Sequence, residues 1–321
     1  MVIRNVMASV LLAGAVSASS RPLIIAHRGA SGHRPEHTIE GYTLAIEMGA
    51  DVVEPDLVST KDGVLVARHE NEIGGTTDVE GKFPARKTTK QIDGQAISGW
   101  FTEDFTLAEL KTLRARERLP FRSHDYDGRF VVPTFEEIVD LAARKSRETG
   151  RAIAVYPETK HPTYFRSIGL PLEPPLVATL DARGLRRKAD PVFIQSFEPS
   201  SLQTLRTMTG VRLMQLLDEG ADVTPDRLAA IAKYADGIGP NKRLIVPAGP
   251  DGRLLPPTSL VGEAHAAGLF VHVWTMRSED VFLSPSYGGD PKREYEQFAS
   301  LGVDGLFTDF PDVAAAVFRR R

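Results

Sequence analysis

Eight short β-rich segments alternate with helical stretches along the chain beyond Ser20. This alternation is typical of a parallel (β/α)8 barrel, in which a helix follows each strand. A doubly wound sheet is the alternative, but the first segment is not followed by G-x-G-x-x-G, and the chain has no P-loop lysine motif. We therefore predict an α/β fold of the TIM barrel type, with strands at residues 23–26, 51–56, 152–158, 192–197, 211–216, 236–238, 270–274 and 303–308.

One segment after the second strand interrupts this alternation. Residues 57–60 and 64–68 flank a tight turn, which predicts a hairpin and not a ninth barrel strand. Residues 71–130 are then rich in Gly, Thr, Asp and Arg, with one helical pattern at residues 107–116. A loop of that length inside a compact domain is usually functional or an inserted subdomain. We predict a capping insertion at about residues 71–130, after the second barrel strand.

The first 18 residues differ from the rest of the chain. Arg4 precedes an apolar run from Val6 to Val16, which ends in the small residues Ser17 and Ala18. This is the pattern of a secretory signal peptide, and the apolar run is too short to span a bilayer. A short N-terminal helix or a retained anchor is the alternative. We predict a signal peptide at residues 1–18 and a barrel domain at residues 19–321, periplasmic or secreted in a bacterium, without stable membrane insertion.

Charge and cysteine content limit the chemistry. The chain has 39 Lys and Arg residues against 42 Asp and Glu residues, and no basic run is longer than the terminal residues 319–321, so nothing indicates a nucleic-acid partner. It has no cysteine, which excludes disulfides, thiol catalysis and zinc–thiolate sites. Any metal must therefore be held by oxygen or imidazole. Composition leaves the oligomeric state open.

Three carboxylates stand at the predicted carboxyl ends of strands, where barrel enzymes carry their catalytic groups. Glu54 and Asp56 are two residues apart, so a strand points both to one face, and Glu158 ends the third strand. Unpaired buried carboxylates are costly, and a divalent cation would balance them. Hard oxygen ligands favour Ca²⁺ or Mg²⁺ over zinc. We predict a metal site at these residues, although a lone E-x-D is more often a solvated face or an ion-pair network.

Two histidines, His27 and His69, end the first strand and the hairpin arm, and Arg28 follows the first of them. Histidine titrates nearest neutral pH, so one can accept a proton while the other donates one. The fork of donors on arginine suits a phosphate. Taken singly, each has a structural alternative, because a histidine usually satisfies backbone groups and an arginine usually pairs with a carboxylate. Together they favour phosphoryl transfer.

Ordered motifs surround these residues: 26–32 (AHRGASG), 35–38 (PEHT), 54–56 (EPD), 60–63 (TKDG), 156–158 (YPE), 235–240 (ADGIGP), 275–277 (TMR) and 305–311 (GLFTDFP). The set resembles the glycerophosphodiester phosphodiesterase family, and in particular its bacterial periplasmic branch. The resemblance covers nearly all of residues 22–318. It implies a TIM barrel with a capping insertion and a Ca²⁺- or Mg²⁺-dependent enzyme that releases sn-glycerol 3-phosphate and an alcohol.

The resemblance also implies roles for single residues. The family's histidine pair matches His27 and His69, and its metal carboxylates match Glu54, Asp56 and Glu158. Its phosphate-binding arginine and lysine match Arg28 and Lys160, and Glu36 matches a supporting position. Residues 161–175 carry no motif of the family, which leaves the head-group preference open.

The implied substrate, such as glycerophosphocholine or glycerophosphoethanolamine, carries its own nucleophile, a hydroxyl beside the esterified one. One histidine would deprotonate that hydroxyl and the other would protonate the leaving alcohol, giving a cyclic phosphate that water then opens. Two alternatives remain. One is a phospholipase-D-like lipid phosphodiesterase of the same barrel family, whose members usually lack the insertion and carry cysteines. The other is a non-catalytic binding protein.

Several other side chains are candidates for the pocket. Gln195, Phe197 and Trp274 lie at later strand ends, where they can line the glycerol side or only pack the barrel mouth. The insertion starts directly after His69, so connectivity places it over the pocket, with Trp100, Phe101 and Tyr126 as substrate contacts or as its own small core. Asp309 is predicted to cap the last helix, ahead of Pro311 in its first turn.

Overall fold

The computed structural model describes residues 21–318, so the predicted signal peptide at residues 1–18 lies outside the described residues. Most of the strands in the described part are short, as expected for a barrel. Their bounds are β1 (Leu23–His27), β2 (Val52–Glu54), β3 (Asp56–Ser59), β4 (Leu65–Ala67), β5 (Thr88–Ile92), β6 (Gln95–Gly99), β7 (Ala154–Val155), β8 (Glu158–Thr159), β9 (Phe193–Ser196), β10 (Arg212–Leu217), β11 (Gly237–Pro240), β12 (Phe270–Met276) and β13 (Gly305–Thr308).

The parallel strands close a ring of eight positions. β2 and β3 form one position interrupted at Pro55, and β7 and β8 form another interrupted at Pro157, because proline has no N–H for the ladder. Parallel pairing runs from β1 through these two positions and on through β9 to β13, which pairs with β1 again. The positions are those predicted from the alternation, and β4 is the antiparallel arm of the predicted hairpin.

Helices follow the strands on the outside of the ring. α4 begins after Thr134, whose side chain forms a capping box with Glu137. The bounds are α1 (Ile39–Met48), α2 (Val79–Lys82), α3 (Leu107–Leu110), α4 (Phe135–Thr149), α5 (Pro162–Ser167), α6 (Glu173–Asp181), α7 (Pro199–Arg206), α8 (Pro225–Ile231), α9 (Lys242–Ile245), α10 (Leu260–Ala266), α11 (Lys292–Ser300) and α12 (Pro311–Phe318), with 3₁₀ turns at Pro84–Arg86, Thr102–Asp104 and Pro285–Tyr287. No helix in the described range is both long and apolar enough to cross a bilayer.

The core has an inner and an outer part. Side chains from the strands fill the ring interior, among them Ile25, Tyr156, Phe193, Met214 and Phe307. Between strands and helices lie two larger apolar clusters, which bury one face of each major helix. Filling the interior with side chains leaves space for a ligand only at the ends of the strands.

The segment at residues 71–130 packs on the barrel through one of the two apolar clusters between strands and helices. Ile73, Val79, Trp100, Phe105 and Leu110 belong to the same cluster as residues of β3 and α4. The predicted helix at residues 107–116 is wrong beyond Leu110, where α3 ends. Instead the backbone N–H of Ala115 donates to Phe130 O and that of Arg116 donates to Thr76 O, so this stretch is extended between two other parts of the segment.

Arg68, next to the end of β4, ties the segment to the barrel from inside. The side chain is 1% exposed, and its guanidinium donates to the carbonyl oxygens of Ala67, Thr76, Glu36 and His37 at 2.6–3.3 Å. Removing the guanidinium would take a donor from each of these carbonyls, of which Thr76 O also accepts from the backbone N–H of Arg116. A buried polar group without a partner costs about 1–3 kcal/mol.

We therefore expect Arg68→Met to lower the free energy of unfolding by about 3 kcal/mol or more, as measured by urea denaturation. The control is Arg144→Met on α4, whose side chain is 55% exposed and pairs with Glu148 at 3.7 Å. An exposed pair of this kind contributes at most about 1 kcal/mol. Equal stability losses in the two variants would contradict the expectation.

Candidate active site

Three carboxylates meet at the carboxyl end of the second and third barrel positions. Glu54 ends β2, Asp56 begins β3 and Glu158 begins β8, and Asp56 and Glu158 are register partners on paired strands. All three are at most 6% exposed, and each offers a ligand oxygen within 4.8 Å of those of the other two. The two-residue spacing therefore places Glu54 and Asp56 on the same inner face, as predicted.

The negative charge of these carboxylates is only partly balanced by neighbouring side chains. Burial, together with Asp56 and Glu158, raises the pKa of Glu54 well above its usual range, and burial raises that of Glu158 to about 8 despite Lys160. Burial would also raise the pKa of Asp56, but the hydrogen bond from His37 and the charge of Arg28 hold it well below its usual range. A buried, carboxylate-only cluster with this surplus charge fits a hard divalent cation.

Arg28 occupies a sharp turn directly after β1. Arg28 and Gly29 both have positive φ, +61° and +89°, and a Cβ at Gly29 would lie 2.9 Å from the backbone of Gly41. The turn aims the backbone N–H of Arg28 at Glu54 Oε2, 2.8 Å away. Its guanidinium lies between Glu36, 3.2 Å from Nη1, and Asp56, 3.3 Å from Nε. Arg28 is thus fixed beside the carboxylate cluster.

A carboxylate orients His27, at the end of β1. Its Nδ1 lies 2.6 Å from Asp309 Oδ1, so the Nδ1–H donates to this carboxylate and Nε2 stays unprotonated and available in the cavity. Burial lowers the pKa of His27 to about 3, and the charge of Arg28 acts in the same direction. His27 is therefore neutral at pH 7.

The predicted capping role of Asp309 is wrong. α12 does begin at Pro311, but the Asp309 side chain turns inward, where Oδ2 accepts from Arg122 Nη2 at 2.6 Å and from Arg277 Nε at 2.9 Å. Burial would raise the pKa of Asp309, but His27 and the two guanidinium groups hold it well below its usual range. The partners of the Asp309 carboxylate are therefore His27, Arg122 and Arg277, and not a backbone N–H at the start of α12.

His69 is held in a similar way from the opposite side. Its Nδ1 lies 2.9 Å from Glu70 Oε1, and Glu70 Oε2 lies 2.7 Å from Nε2 of His161. His161 in turn contacts Asp93 Oδ2 at 2.6 Å, at the turn between β5 and β6. Burial lowers the pKa of His69 to about 4, and Arg28 adds to that shift. Both histidines are therefore neutral bases in the free protein.

One cavity of about 280 Å³ joins these groups. Phe197 and Trp274 form an apolar side, with ring centroids 5.8 Å apart and planes at 84°. The cavity is lined by His27, Arg28, Glu54, His69, Glu158, Lys160, Gln195, Phe197, Leu216, Asn241, Lys242, Trp274, Thr275, Arg277, Phe282 and Phe307. Gln195 also donates to Glu54 Oε1 at 3.0 Å, and Lys160 Nζ lies 3.1 Å from Glu158 Oε1.

The three insertion aromatics do not line this cavity. Trp100 and Phe101 are 5% and 0% exposed, and Trp100 lies in the apolar cluster that the insertion shares with β3 and α4. Tyr126 stacks on Phe130 and lies under the Arg34 guanidinium. Their proposed role as substrate contacts is therefore wrong, and so is a separate small core for Trp100, which packs against the barrel.

The barrel brings two carboxylate-oriented histidines, two fixed cationic side chains and a buried carboxylate cluster around one cavity, an arrangement suited to acid–base chemistry on an anionic ester. The model of the glycerophosphoryl diester phosphodiesterase family matches residues 27–313. The chain belongs to this family, and it is a phosphoric diester hydrolase.

Two relatives that are more than 30% identical to this chain come from a plant and a bacterium. Glycerophosphodiester phosphodiesterase GDPD6 of Arabidopsis thaliana is 40% identical over 91% of this chain and 84% of its own. A glycerophosphodiester phosphodiesterase of Haemophilus influenzae is 31% identical over 96% of this chain and 95% of its own. Because both kinds of organism are represented, the bacterial periplasmic branch remains a prediction.

Solved structures share the fold. A glycerophosphodiester phosphodiesterase of Agrobacterium tumefaciens superposes with a TM-score of 0.61 at 21% identity, over 92% of this chain and 100% of its own. A phosphodiesterase of Oleispira antarctica, in complex with the product sn-glycerol-3-phosphate, has a TM-score of 0.63 at 19% identity, over 93% and 97% of the two chains.

The contact between Asp309 and His27 gives a direct test of the site. We expect Asp309→Asn to lower kcat by about 10-fold or more, since the same change at a carboxylate that orients a catalytic histidine costs up to about 10⁴-fold. The amide can no longer fix the Nδ1 tautomer. The control is Asp312→Asn on α12, whose carboxylate pairs with His33 and is 43% exposed. Similar kcat values for the two variants would show that His27 needs no orientation.

Proposed function

We propose that this protein hydrolyses glycerophosphodiesters to sn-glycerol 3-phosphate and a free alcohol, with Ca²⁺ or Mg²⁺ as cofactor. The observation that carries the proposal is the single cavity between two carboxylate-held histidines and the buried carboxylate cluster. The product complex of the Oleispira antarctica relative supports the same product class.

Glu54, Asp56 and Glu158 are the residues that would hold the cation. A bound divalent cation supplies positive charge that stabilises the developing charge on phosphoryl oxygens. Arg28 and Lys160 line the same wall of the cavity and would bind the remaining phosphoryl oxygens. Burial would lower the pKa of Lys160, but the charges of Glu158 and Asp56 raise it above its usual range. The Lys160 side chain therefore stays charged at neutral pH.

The two histidines divide the proton transfers. One takes the proton of the substrate hydroxyl next to the ester, and that oxygen attacks phosphorus while the other histidine protonates the leaving alcohol oxygen. The resulting cyclic phosphate is opened by water with the two roles reversed. The acid must be protonated first, and the anionic substrate promotes this because a nearby negative charge raises the pKa of a histidine.

Phe197 and Trp274 would receive the apolar face of the glycerol carbons, because they form the apolar side of the cavity.

We assign the insertion a capping role. Its residues contact loops that follow four barrel positions: Asp93 contacts His161, Phe121 packs on Phe282, and Arg122 contacts Ser31 and Asp309.

The proposed location is the periplasm or the cell exterior, on the basis of the sequence pattern at residues 1–18.

The decisive experiment identifies products. Purified protein with Ca²⁺ or Mg²⁺ is incubated with glycerophosphocholine and glycerophosphoethanolamine, and sn-glycerol 3-phosphate is detected by a coupled enzyme assay. ³¹P NMR follows the cyclic phosphate in the same sample. Release of sn-glycerol 3-phosphate with the free alcohol is expected. Release of glycerol with phosphocholine would place the cleavage on the wrong side of phosphorus and reject the proposal.

A further inference from the structure

Arg122, in the insertion, reaches the catalytic end of the barrel. Its side chain is 6% exposed, and all three of its guanidinium nitrogens have partners. Nη2 lies 2.6 Å from Asp309 Oδ2, Nη1 donates to Ser31 O at 2.9 Å, and Nε lies 2.7 Å from Glu279 Oε1. These acceptors follow three different barrel strands, β13, β1 and β12. One side chain therefore links three loops at the rim.

Two of these contacts lead directly to His27. Asp309 Oδ1 holds His27 Nδ1, while Arg122 holds the other oxygen of the same carboxylate. Ser31, whose carbonyl oxygen accepts from Arg122, donates its own hydroxyl to the backbone oxygen of His27 at 2.8 Å. Arg122 thus fixes both the carboxylate that orients the imidazole and the loop that follows it.

We infer that Arg122 is a positioning residue for His27, so that the insertion contributes to the catalytic step and does not only cover the pocket. The inference rests on the proposed function, in which His27 transfers a proton. An arginine that merely anchored the insertion would need no contact with the carboxylate that holds His27. The planar guanidinium of Arg122 suits this role, because it holds one carboxylate oxygen of Asp309, one of Glu279 and the carbonyl oxygen of Ser31 at the same time.

The first test is Arg122→Ala in the whole protein, with kinetics on glycerophosphocholine. We expect kcat to fall by about 10- to 100-fold, the cost of a misplaced catalytic group, with KM within about twofold of wild type. Added methylguanidine is expected to restore kcat at least about fivefold by refilling the site. The matched control is Arg116→Ala, an exposed arginine of the same segment for which the described range shows no side-chain partner. The control is expected to keep the wild-type kcat.

A folded Arg122→Ala protein with wild-type kcat, or with a low kcat that methylguanidine does not restore, would overturn the inference. If Arg122→Ala does not fold, Arg122→Lys decides. Its single ammonium cannot span three acceptors, so kcat is again expected to fall about tenfold, and a wild-type kcat would overturn the inference.

An activity-independent measurement separates this inference from the proposed function. The Nδ1–H signal of His27 in ¹H–¹⁵N NMR, assigned with His27→Ala, reports its hydrogen bond to Asp309. We expect this signal to shift or broaden in Arg122→Ala and to stay unchanged in Arg116→Ala. If the wild type cleaves no glycerophosphodiester, the proposed function fails while this comparison still tests the position of His27. An unchanged signal in Arg122→Ala would reject the positioning role.

Discussion

Replacing His27 by alanine is expected to lower kcat by about 10²–10⁴, the usual contribution of a general acid or base. The imidazole lines the cavity, and Asp309 fixes its Nδ1 at 2.6 Å, so Nε2 is the atom that meets the substrate. His69→Ala is expected to cost a similar factor, because Glu70 holds that ring in the same manner. Steady-state kinetics with saturating substrate measure both losses.

The double variant separates a shared proton-transfer chain from two independent effects. If the two histidines act in one chain of proton transfers, removing both costs less than the product of the single losses. His33→Ala is the control, since His33 pairs with Asp312, is 31% exposed and does not line the cavity. A His69→Ala enzyme with near wild-type kcat would exclude the hairpin arm from the site.

Chelation is expected to abolish activity, and Ca²⁺ or Mg²⁺ is expected to restore it. Burial raises the pKa values of Glu54 and Glu158, and the neighbouring cations do not offset this shift. A bound divalent cation would balance their charge and that of an anionic substrate. Activity is measured after dialysis against EDTA and after stepwise addition of each cation. Full turnover in excess EDTA would reject the metal site.

Cation binding itself tests the same residues without an activity assay. Glu54→Gln keeps the side-chain volume but removes one ligand charge, so affinity measured by calorimetry should fall at least about tenfold, which corresponds to about 1.4 kcal/mol. The control is Glu136→Gln on α4, whose carboxylate is 68% exposed and pairs with Arg183. Equal affinities in the two variants would move the site away from Glu54.

Local patterns were sufficient to predict the barrel and the carboxylates. Each strand is a short run followed by a helix, and the spacing of Glu54 and Asp56 fixes their common face through strand geometry alone. The prolines at positions 55 and 157 mark interruptions in the ladder because the missing N–H is a property of the residue. None of these features depends on distant parts of the chain.

Contacts between distant segments could not be predicted in the same way. Arg122 lies 187 residues from Asp309, and His161 lies 91 residues from Glu70, so no periodicity connects them. The sequence predicts the wrong partner for Asp309, because an Asp that precedes a helix starting with Pro is typical of a helix cap. Its place at the end of the last strand, where barrel enzymes carry functional groups, was the signal that pointed to the site. The helix expected at residues 107–116 stops at Leu110 because the backbone at residues 115 and 116 pairs with other parts of the insertion.

The hydrogen bond between His27 and Asp309 crosses the seam where the first strand meets the last. During synthesis the carboxylates at positions 54, 56 and 158 leave the ribosome long before residue 309 does. A nascent or C-terminally shortened chain can therefore present its acidic cluster while its first histidine still lacks an orienting partner. Full turnover thus requires that the last strand has docked, which makes the level of activity a sensitive marker of a closed ring.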